Sequence, residues 1–246
     1  MNILEAKNLV LGYGETVVLE EMTFAIPKGK ITAIIGESGS GKTTLFKTLI
    51  GLIPPLRGEI AFLGKRVDFR SEKSLAALYE EIGVLYQGGA LLNSMTLHEN
   101  IALPLRMRYL GLDKEIEAAL VNSKLALVGL QGSGGKYPSE LSGGMKKRAA
   151  LARAMILDPQ VIFCDEPSSG LDPITSTSLD ELLLSLKETA GMTLVVITHE
   201  LRSIEKIADT VVLLNKAKIH FSGGLAELHD HADAYIRKFF LKKDEP

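Results

Sequence analysis

The run from Gly36 to Thr43 is the part of the chain whose residue types and spacing most clearly imply chemistry. It matches the pattern G-x-x-x-x-G-K-[ST] and lies between the apolar stretch Ile31–Ile35 and an expected helix from Lys42. Glycines let backbone N–H groups wrap around phosphate oxygens, Lys42 adds a full charge, and the Thr43 hydroxyl suits Mg²⁺. The run therefore predicts a nucleotide-phosphate site and disfavours a ligand-free glycine turn. The residues predicted to contact the nucleotide here are Gly36, Glu37, Ser38, Gly39, Ser40, Gly41, Lys42, Thr43 and Thr44.

Two adjacent carboxylates follow a second apolar stretch. Val161–Cys164 has the continuous apolar character of a strand buried on both faces, and Asp165 and Glu166 come directly after it. Ligands of parallel sheets bind at the carboxyl ends of the strands, so this pair is expected beside the phosphate run. Asp165 suits a Mg²⁺ site, directly or through water, and Glu166 could orient and deprotonate an attacking water. The alternative is a pair that only caps a strand before Pro167.

A second possible anion site lies in the run 141–144, Leu-Ser-Gly-Gly. It begins an expected helix that ends at Leu157, and the free N–H groups of a helix start attract anions. The run resembles the signature motif of ABC ATPases, with Met145 in place of the usual Gln. This resemblance implies that two chains pack head to tail, with each ATP between the Lys42 run of one chain and the Ser142 helix of the other. The expected nucleotide contacts from this helix are Ser142, Gly143 and Gly144.

Four further residues stand in the order that the ABC family shows along the chain. The resemblance implies that Tyr13 stacks on adenine and that Gln87 senses the γ-phosphate and Mg²⁺. It also implies that Asp172 lies in a loop at the dimer interface, close to nucleotide, and that His199 contacts the γ-phosphate. The expected catalytic residues are Glu166, His199 and Gln87. The expected Mg²⁺ ligands are Thr43, Gln87 and Asp165.

The order of apolar stretches and helical patterns predicts an α/β fold. Strands alternate with helices outside the middle third, which implies a mostly parallel sheet covered on both faces. Residues 88–158 show helical patterns and no convincing strand, so we expect an inserted helical subdomain. The resemblance implies a P-loop NTPase core of the RecA-like type, with an antiparallel β region near its N-terminal end. Residues 1–246 are then one ABC ATPase domain, with 1–87 and 159–246 as its catalytic core.

Two local predictions concern the N-terminal third. Thr16–Leu19 and Met22–Ile26 are short apolar-rich stretches that favour two separate strands. Glu59–Phe62 and Val67–Phe69 flank Leu-Gly-Lys, which favours a hairpin between them.

Composition and charge exclude several other classes of protein. The 246 residues include 28 Lys and Arg against 30 Asp and Glu, so the chain lacks the positive footprint of a nucleic-acid binder. The one cysteine, Cys164, rules out an internal disulfide and is expected as a small buried side chain. The longest apolar runs are strand-sized, well below the roughly 18 residues of a membrane span. A role at a membrane would therefore come through a partner.

The remaining polar motifs have simpler interpretations. Residues 215–218, Asn-Lys-Ala-Lys, lack the carboxylate of the guanine-reading motif, which favours a hairpin turn and ATP as the nucleotide. The basic run 146–148 and Arg153 are expected on a solvated helix face. The histidines expected as surface or internally bonded side chains, without a metal, are His98, His220, His229 and His231.

Two segments also resemble the ATPases of Mce-associated lipid transporters, a group that includes the Mla phospholipid system. They are 88–106, which follows Gln87, and 145–154, which begins at Met145; Asp172-Pro173-Ile174-Thr175 is similar too. The resemblance implies a peripheral subunit on the cytoplasmic face of the inner membrane. Its partners would be a second copy, a membrane permease, an Mce-domain protein and a small regulatory subunit. The C-terminal segment 232–246 could either dock across the dimer or bind the regulatory subunit.

Alternatives to this function stay open at the level of sequence. The same motor could serve an amino-acid, metal or lipoprotein transporter, because the permease selects the cargo. A soluble ABC ATPase acting on nucleic acid or ribosomes is disfavoured, since there is one set of motifs and no heptad run or Cys cluster. The apolar residues that could either dock a permease helix or fill the helical core are Ala90, Leu91, Leu92 and Met95.

Overall fold

The computed structural model describes residues 1–241 and divides them between two β-sheets and surrounding helices. The strands are β1 (Asn2–Tyr13), β2 (Thr16–Pro27), β3 (Ile31–Gly36), β4 (Arg57–Phe62), β5 (Lys65–Arg66), β6 (Ile82–Leu85), β7 (Val161–Asp165), β8 (Thr193–Ile197), β9 (Thr210–Asn215) and β10 (Lys218–Gly224). The helices are α1 (Lys42–Leu49), α2 (Glu72–Glu81), α3 (Leu97–Arg108), α4 (Lys114–Leu127), α5 (Gly143–Ala154), α6 (Pro173–Ala190), α7 (Leu201–Ile207), α8 (Leu225–His229) and α9 (Ala234–Leu241).

The two sheets differ in strand direction. The larger sheet has the order β10-β9-β3-β8-β7-β6, and its pairs are parallel except for the β10–β9 hairpin at one edge. The smaller sheet, β2-β1-β4-β5, is antiparallel throughout. The α/β fold with a mostly parallel sheet and an antiparallel N-terminal region is therefore confirmed.

The central strands are buried on both faces, as their unbroken apolar sequences predict. Every residue of β3 and β8 is buried, and one face packs with α1 and the antiparallel sheet. The other face packs with α5 and α6, under the helical segment between β6 and β7. This burial fixes the carboxyl ends of β3, β8 and β7 beside one another, and it is there that the polar motifs emerge.

Three details of the N-terminal and C-terminal thirds depart from the sequence predictions. The strand predicted in two pieces is one strand, β2, because its pairing with β1 continues past an irregularity at Glu21, where φ is 45°. The prediction of a strand at Val67–Phe69 is wrong, because the strand β5 is Lys65–Arg66. The chain turns after β5, and the Asp68 N–H donates to the Ser74 hydroxyl at 2.9 Å. The sequence also gave no sign of α7, a helix of seven residues.

The helical segment between β6 and β7 is organised by buried polar groups. A capping box starts α3, since the Thr96 hydroxyl accepts from the Glu99 N–H and the Glu99 carboxylate accepts from the Thr96 N–H. Glu117 on α4 is buried and accepts two bonds from the Arg106 guanidinium, at 2.8 and 2.7 Å, while His98 Nε2 lies 3.1 Å away. These bonds, chiefly the two from Arg106, lower the pKa of Glu117 to about 2.

Glu117→Gln (E117Q) is expected to lower the free energy of unfolding by about 1–2 kcal/mol at pH 7, since Arg106 is half exposed and water screens the pair. The folded-state pKa lies below the ordinary value of 4.5, so this stabilisation is complete above pH 4.5 and is lost as pH falls toward 2. Urea unfolding at pH 7, 5 and 3 measures it. Glu115→Gln (E115Q), at an exposed position in the first turn of α4, is the control. If the difference in unfolding free energy between E117Q and the parent stays constant with pH, the stabilisation does not come from the Glu117 carboxylate.

None of the helices within residues 1–241 is both long enough and apolar enough to cross a membrane. Residues 242–246 lie outside the described residues, so the end of the segment 232–246 and of the predicted range 159–246 is not described.

Candidate functional site

A cavity of about 780 Å³ lies at the carboxyl ends of β3, β7 and β8. It brings together most of the residues that the phosphate run, the acid pair and the histidine after β8 predict. The lining residues are Val18, Gly36, Glu37, Ser38, Gly39, Gly41, Lys42, Thr43, Thr44, Gln87, Asp165, Glu166, Ile197, His199, Leu201 and Phe239. Ser40 belongs to the same loop, between β3 and α1.

The loop between β3 and α1 depends on glycine where it bends most tightly. Gly41 has φ of 95° at the N-terminus of α1, and a Cβ there would lie 2.7 Å from Leu19. Gly39 also has a left-handed φ, of 79°, and open space around it. Lys42 Nζ donates to the carbonyls of Gly36, at 2.8 Å, and Glu37, at 2.9 Å, so its charge is held over the loop. Burial lowers the pKa of Lys42, while Glu166 and Asp165 act in the opposite direction.

The acid pair is held at the end of β7 by backbone pairing and by a histidine. Asp165 lies in register with Ile197 of β8, and burial together with the neighbouring Glu166 raises its pKa. Glu166 has a left-handed φ of 47°, and its N–H donates to the Ile197 carbonyl at 2.8 Å. Its Oε1 lies 2.8 Å from His199 Nδ1. A non-glycine residue in this conformation is strained, so the surrounding contacts must hold it there.

One buried oxygen at the cavity offers open hydrogen-bonding capacity. Glu166 Oε2 is buried and has no hydrogen-bond partner within residues 1–241; the same holds for Ser40 Oγ, in the loop beside the cavity. Buried polar atoms rarely stay unpaired, so the Glu166 oxygen fits a site that binds a water or a polar ligand. Thr43, Gln87 and Asp165 bring oxygen atoms to the same cavity, and oxygen is the ligand type that Mg²⁺ prefers. The residues present therefore fit a nucleotide with magnesium.

The helix start at Ser142 lies outside this cavity. The Ser142 hydroxyl accepts from the Met145 N–H at 3.3 Å, and Ser142 and Gly143 are exposed to solvent. Gly144 is buried against α6: a Cβ there would lie 2.3 Å from the Thr175 methyl. Asp172 caps α6 by accepting from the N–H groups of residues 174 and 175, at 3.1 and 3.0 Å. The chain thus presents a second helix N-terminus to solvent, separate from the cavity.

Tyr13 is not among the described residues that line the cavity. It ends β1, is 48 % exposed, and is paired with Thr16 across the β1–β2 turn. Its predicted stacking on adenine stays a prediction. The apolar wall of the cavity, which the sequence did not reveal, comes from Val18, Leu201 and Phe239. These residues belong to three distant elements, β2, α7 and α9, and no local motif marks them.

The prediction of a solvated face is wrong for three of the four basic residues of α5, and Lys146 alone among them is half-exposed without a side-chain partner within residues 1–241. Lys147 is buried, and its Nζ donates to the Gln87 and Glu166 carbonyls. Arg148 donates to the Val128 carbonyl at 2.9 Å and to the hydroxyl of Ser178 at 2.8 Å. Arg153 donates to the carbonyls of residues 89 and 90. The helix faces the core of the helical segment, and its long cations reach backbone oxygens at the ends of neighbouring loops.

The apolar residues after Gln87 divide between the two roles left open by the sequence. Leu91 packs against the core under the helices, whereas Ala90 is exposed and Leu92 is 43 % exposed. Buried Asn100 fixes this loop, because its Oδ1 accepts from the Leu92 N–H at 2.7 Å and its Nδ2 donates to three carbonyls at 3.0 Å each. The loop therefore holds Leu92 toward solvent, while Leu91 and Met95 are half-buried.

The remaining motifs have the local roles that were expected of them. Lys216 and Ala217 form the turn between β9 and β10, both with positive φ, as a tight hairpin requires. Cys164 is fully buried, which raises the pKa of its thiol to about 12. His220 Nε2 lies 3.0 Å from Asp233, and His98 is bonded to Glu117.

A family model, similar sequences and solved structures all point to the same family. Residues 19–169 match the family model described as ABC transporter. The chain is 39% identical, over 96% of its length, to a probable ribonucleotide transport ATP-binding protein of Mycobacterium tuberculosis, and spans 66% of that relative. It is 38% identical, over 97% of its length, to the intermembrane phospholipid transport system ATP-binding protein MlaF of Escherichia coli K12, and spans 88% of it.

Solved structures share the fold over most of the chain. The cbiO1 protein of Clostridium perfringens, part of the ABC transporter complex cbiONQ, superposes with a TM-score of 0.86 at 26% identity, covering 98% of this chain and 99% of that one. A dimeric ATP-binding cassette in a post-hydrolysis state, bound to ADP and Pi, superposes with a TM-score of 0.81 at 28% identity, covering 90% and 98% of the two chains.

Proposed function

Because the chain belongs to the ABC transporter family, we propose that it is the ATP-hydrolysing subunit of a membrane transporter. The observation that carries this proposal is the cavity in which the Lys42 loop faces Asp165, Glu166 and His199. A lysine in a glycine-rich loop, a carboxylate for magnesium and a second carboxylate beside a histidine are groups suited to phosphoryl transfer to water.

We assign the residues of this cavity separate roles in ATP hydrolysis. The backbone N–H groups of the loop and Lys42 bind the phosphates, and Thr43, Asp165 and Gln87 hold Mg²⁺, which neutralises charge on the phosphate oxygens. Glu166 Oε2, buried and unpaired among the described residues, accepts a proton from the attacking water. His199 holds the other oxygen of that carboxylate and contacts the γ-phosphate from the end of β8.

The second helix start supports a dimer. Ser142, Gly143 and Gly144 form an anion site that the chain's own cavity does not include, so a second copy facing the cavity would place this site on the ATP. The similar cassette that was solved as a dimer with bound ADP and Pi supports a dimer. In the proposed dimer of this chain, Asp172 lies at the interface and Tyr13 stacks on adenine. We assign the catalytic core to 1–87 and 159–246, and the helical subdomain that carries Ser142 to 88–158.

The cargo that we propose is phospholipid or a related lipid, moved between bacterial membranes. Support comes from the relatives named MlaF, which this chain matches over 97% of its length. The chain would lie at the cytoplasmic face of the inner membrane, bound to a permease through the exposed part of 88–106, with an Mce-domain protein and a small regulatory subunit in the complex. The name of the mycobacterial relatives favours ribonucleotide as the alternative cargo.

Co-purification from gently solubilised native membranes, followed by mass spectrometry, tests this assignment. The expected result is a permease, an Mce-domain protein and bound phospholipid. Leu92→Glu (L92E) should lose the permease, whereas Leu110→Glu (L110E), at an apolar side chain that is 93 % exposed and outside the docking segment, should keep it. If a permease co-purifies with a different binding protein, the lipid assignment is wrong but the role as a transport ATPase stands. If no membrane protein co-purifies, the assignment to a transporter is wrong.

A further inference from the structure

Lys147 is a buried lysine on α5 that reaches two loops of the nucleotide cavity. Only 6 % of its surface is exposed. Its Nζ donates to the Gln87 carbonyl and, at 3.1 Å, to the Glu166 carbonyl. One ammonium group therefore joins the segment after β6 to the residue after β7, and both are joined to the helix that begins at Ser142.

Both carbonyls belong to residues whose backbone placement decides where a reactive side chain points. Glu166 has a left-handed φ of 47°, a strained conformation for a residue with a Cβ. Its N–H donates to the Ile197 carbonyl on the sheet, and its carbonyl, in the next peptide group, accepts from Lys147. Gln87 lies two residues beyond the last paired residue of β6, where sheet pairing no longer fixes the chain. A charged donor gives a stronger bond to a carbonyl than a neutral one does.

The same helix holds the rest of this loop. Arg153 Nη atoms donate to the carbonyls of Gly89, at 2.8 Å, and Ala90, at 2.7 Å, where the chain has positive φ. A Cβ on Gly89 would touch the Ala150 methyl at 3.4 Å, so the loop lies directly on α5. Lys147 differs from Arg153 in that it also reaches Glu166. The burial that places it there lowers its pKa, and the carboxylates of Asp165 and Glu166 partly offset this.

We propose that Lys147 is a positioning residue that fixes the Gln87 loop and the Glu166 backbone to the Ser142 helix. The inference rests on the proposed ATP hydrolysis for its catalytic meaning. Because the Ser142 helix start serves the ATP of the partner chain, movement of that helix moves Gln87 and Glu166 of its own site. The lysine thus links the two ATP sites of the dimer.

Amide hydrogen exchange without nucleotide tests the link directly. Lys147→Met (K147M) keeps the stem of the side chain and removes the ammonium. We expect exchange in peptides covering 86–91 and 166–170 to become faster by about tenfold, with α1 and α6 unchanged. Lys146→Met (K146M) is the control, since Lys146 makes no side-chain hydrogen bond or ion pair within residues 1–241. Unchanged exchange in K147M would overturn the proposal.

Steady-state kinetics test the consequence for catalysis. K147M should lower kcat for ATP hydrolysis by about 10- to 100-fold, as loss of a supporting group does, and leave the Kd for the fluorescent analogue mant-ATP within about twofold. Lys147→Arg (K147R), which keeps a cationic donor, should recover at least a third of the activity; K146M should match the parent. Loss of mant-ATP binding together with kcat, or the absence of rescue by K147R, would overturn the positioning role.

The two experiments separate the failure of this inference from failure of the proposed function. If the parent chain binds and hydrolyses no ATP, the proposed function fails, and the hydrogen-exchange result still decides whether Lys147 holds the two loops. If the parent hydrolyses ATP and K147M does so equally well, the proposed function stands and the positioning role is wrong.

Discussion

Glu166→Gln (E166Q) is expected to lower kcat for ATP hydrolysis by about 10³-fold and to leave ATP binding intact. The amide keeps the shape of the side chain and its bond to His199 but no longer takes a proton from water. Since Glu166 Oε2 has no partner within residues 1–241, nothing else in the described cavity is lost. The variant should also accumulate as an ATP-bound dimer, because in the proposed dimer each ATP lies between the two chains until it is hydrolysed.

The measurement combines phosphate release, mant-ATP binding and size-exclusion chromatography with light scattering in the presence of ATP. Glu200→Gln (E200Q) is a matched control, because Glu200 lies next to His199 yet is absent from the residues that line the cavity. It should keep kcat within about twofold of the parent. Full steady-state hydrolysis by E166Q would show that another group is the base, and a monomeric E166Q in saturating ATP would contradict the proposed dimer.

The sequence predicted the elements of the cavity because those elements are local. A continuous apolar strand followed by a glycine-rich run or by two carboxylates specifies both the strand and the residues at its end, and β3 and β7 have these patterns. Parallel pairing then places the two ends together, as the register of β3, β8 and β7 does. Nothing beyond strand direction was needed to predict that Lys42 and Glu166 would lie in one cavity.

The predictions that failed concern side chains whose partners are distant in the chain. The sequence of α5 predicts that Lys147 and Arg153 lie on a solvated face. Their hydrogen-bond partners are instead backbone carbonyls 19 to 64 residues away in the chain. A long cation can bury its stem and satisfy its donors on backbone oxygen, so its charge does not report exposure. Likewise Phe239 reaches the cavity from α9 through tertiary packing, which no short motif records.

The close approach of α5 to α6 leads to a second large effect, in Gly144→Ala (G144A). A Cβ at Gly144 would lie 2.3 Å from the Thr175 methyl. Thr175 cannot easily turn away, because its hydroxyl donates to Asp172 at 2.5 Å and its side chain is branched at Cβ. The start of α5 must therefore shift. A displacement of about 1 Å in a catalytic arrangement costs about 10²-fold in rate, so we expect a loss of that size in kcat, with mant-ATP binding by the Lys42 loop retained.

The double variant G144A/T175S distinguishes a clash between α5 and α6 from a direct effect of the new methyl on the partner's ATP. Serine removes the methyl that the new Cβ would meet and keeps the hydroxyl that bonds to Asp172, so kcat should return to within about threefold of the parent. T175S alone is the control and should hydrolyse ATP normally. If G144A is inactive and the second substitution does not rescue it, the added methyl acts on the approach of the partner's ATP to the helix start. If G144A is fully active, the position of α5 against α6 does not limit hydrolysis, and the Ser142 helix cannot act as a rigid half of the ATP site.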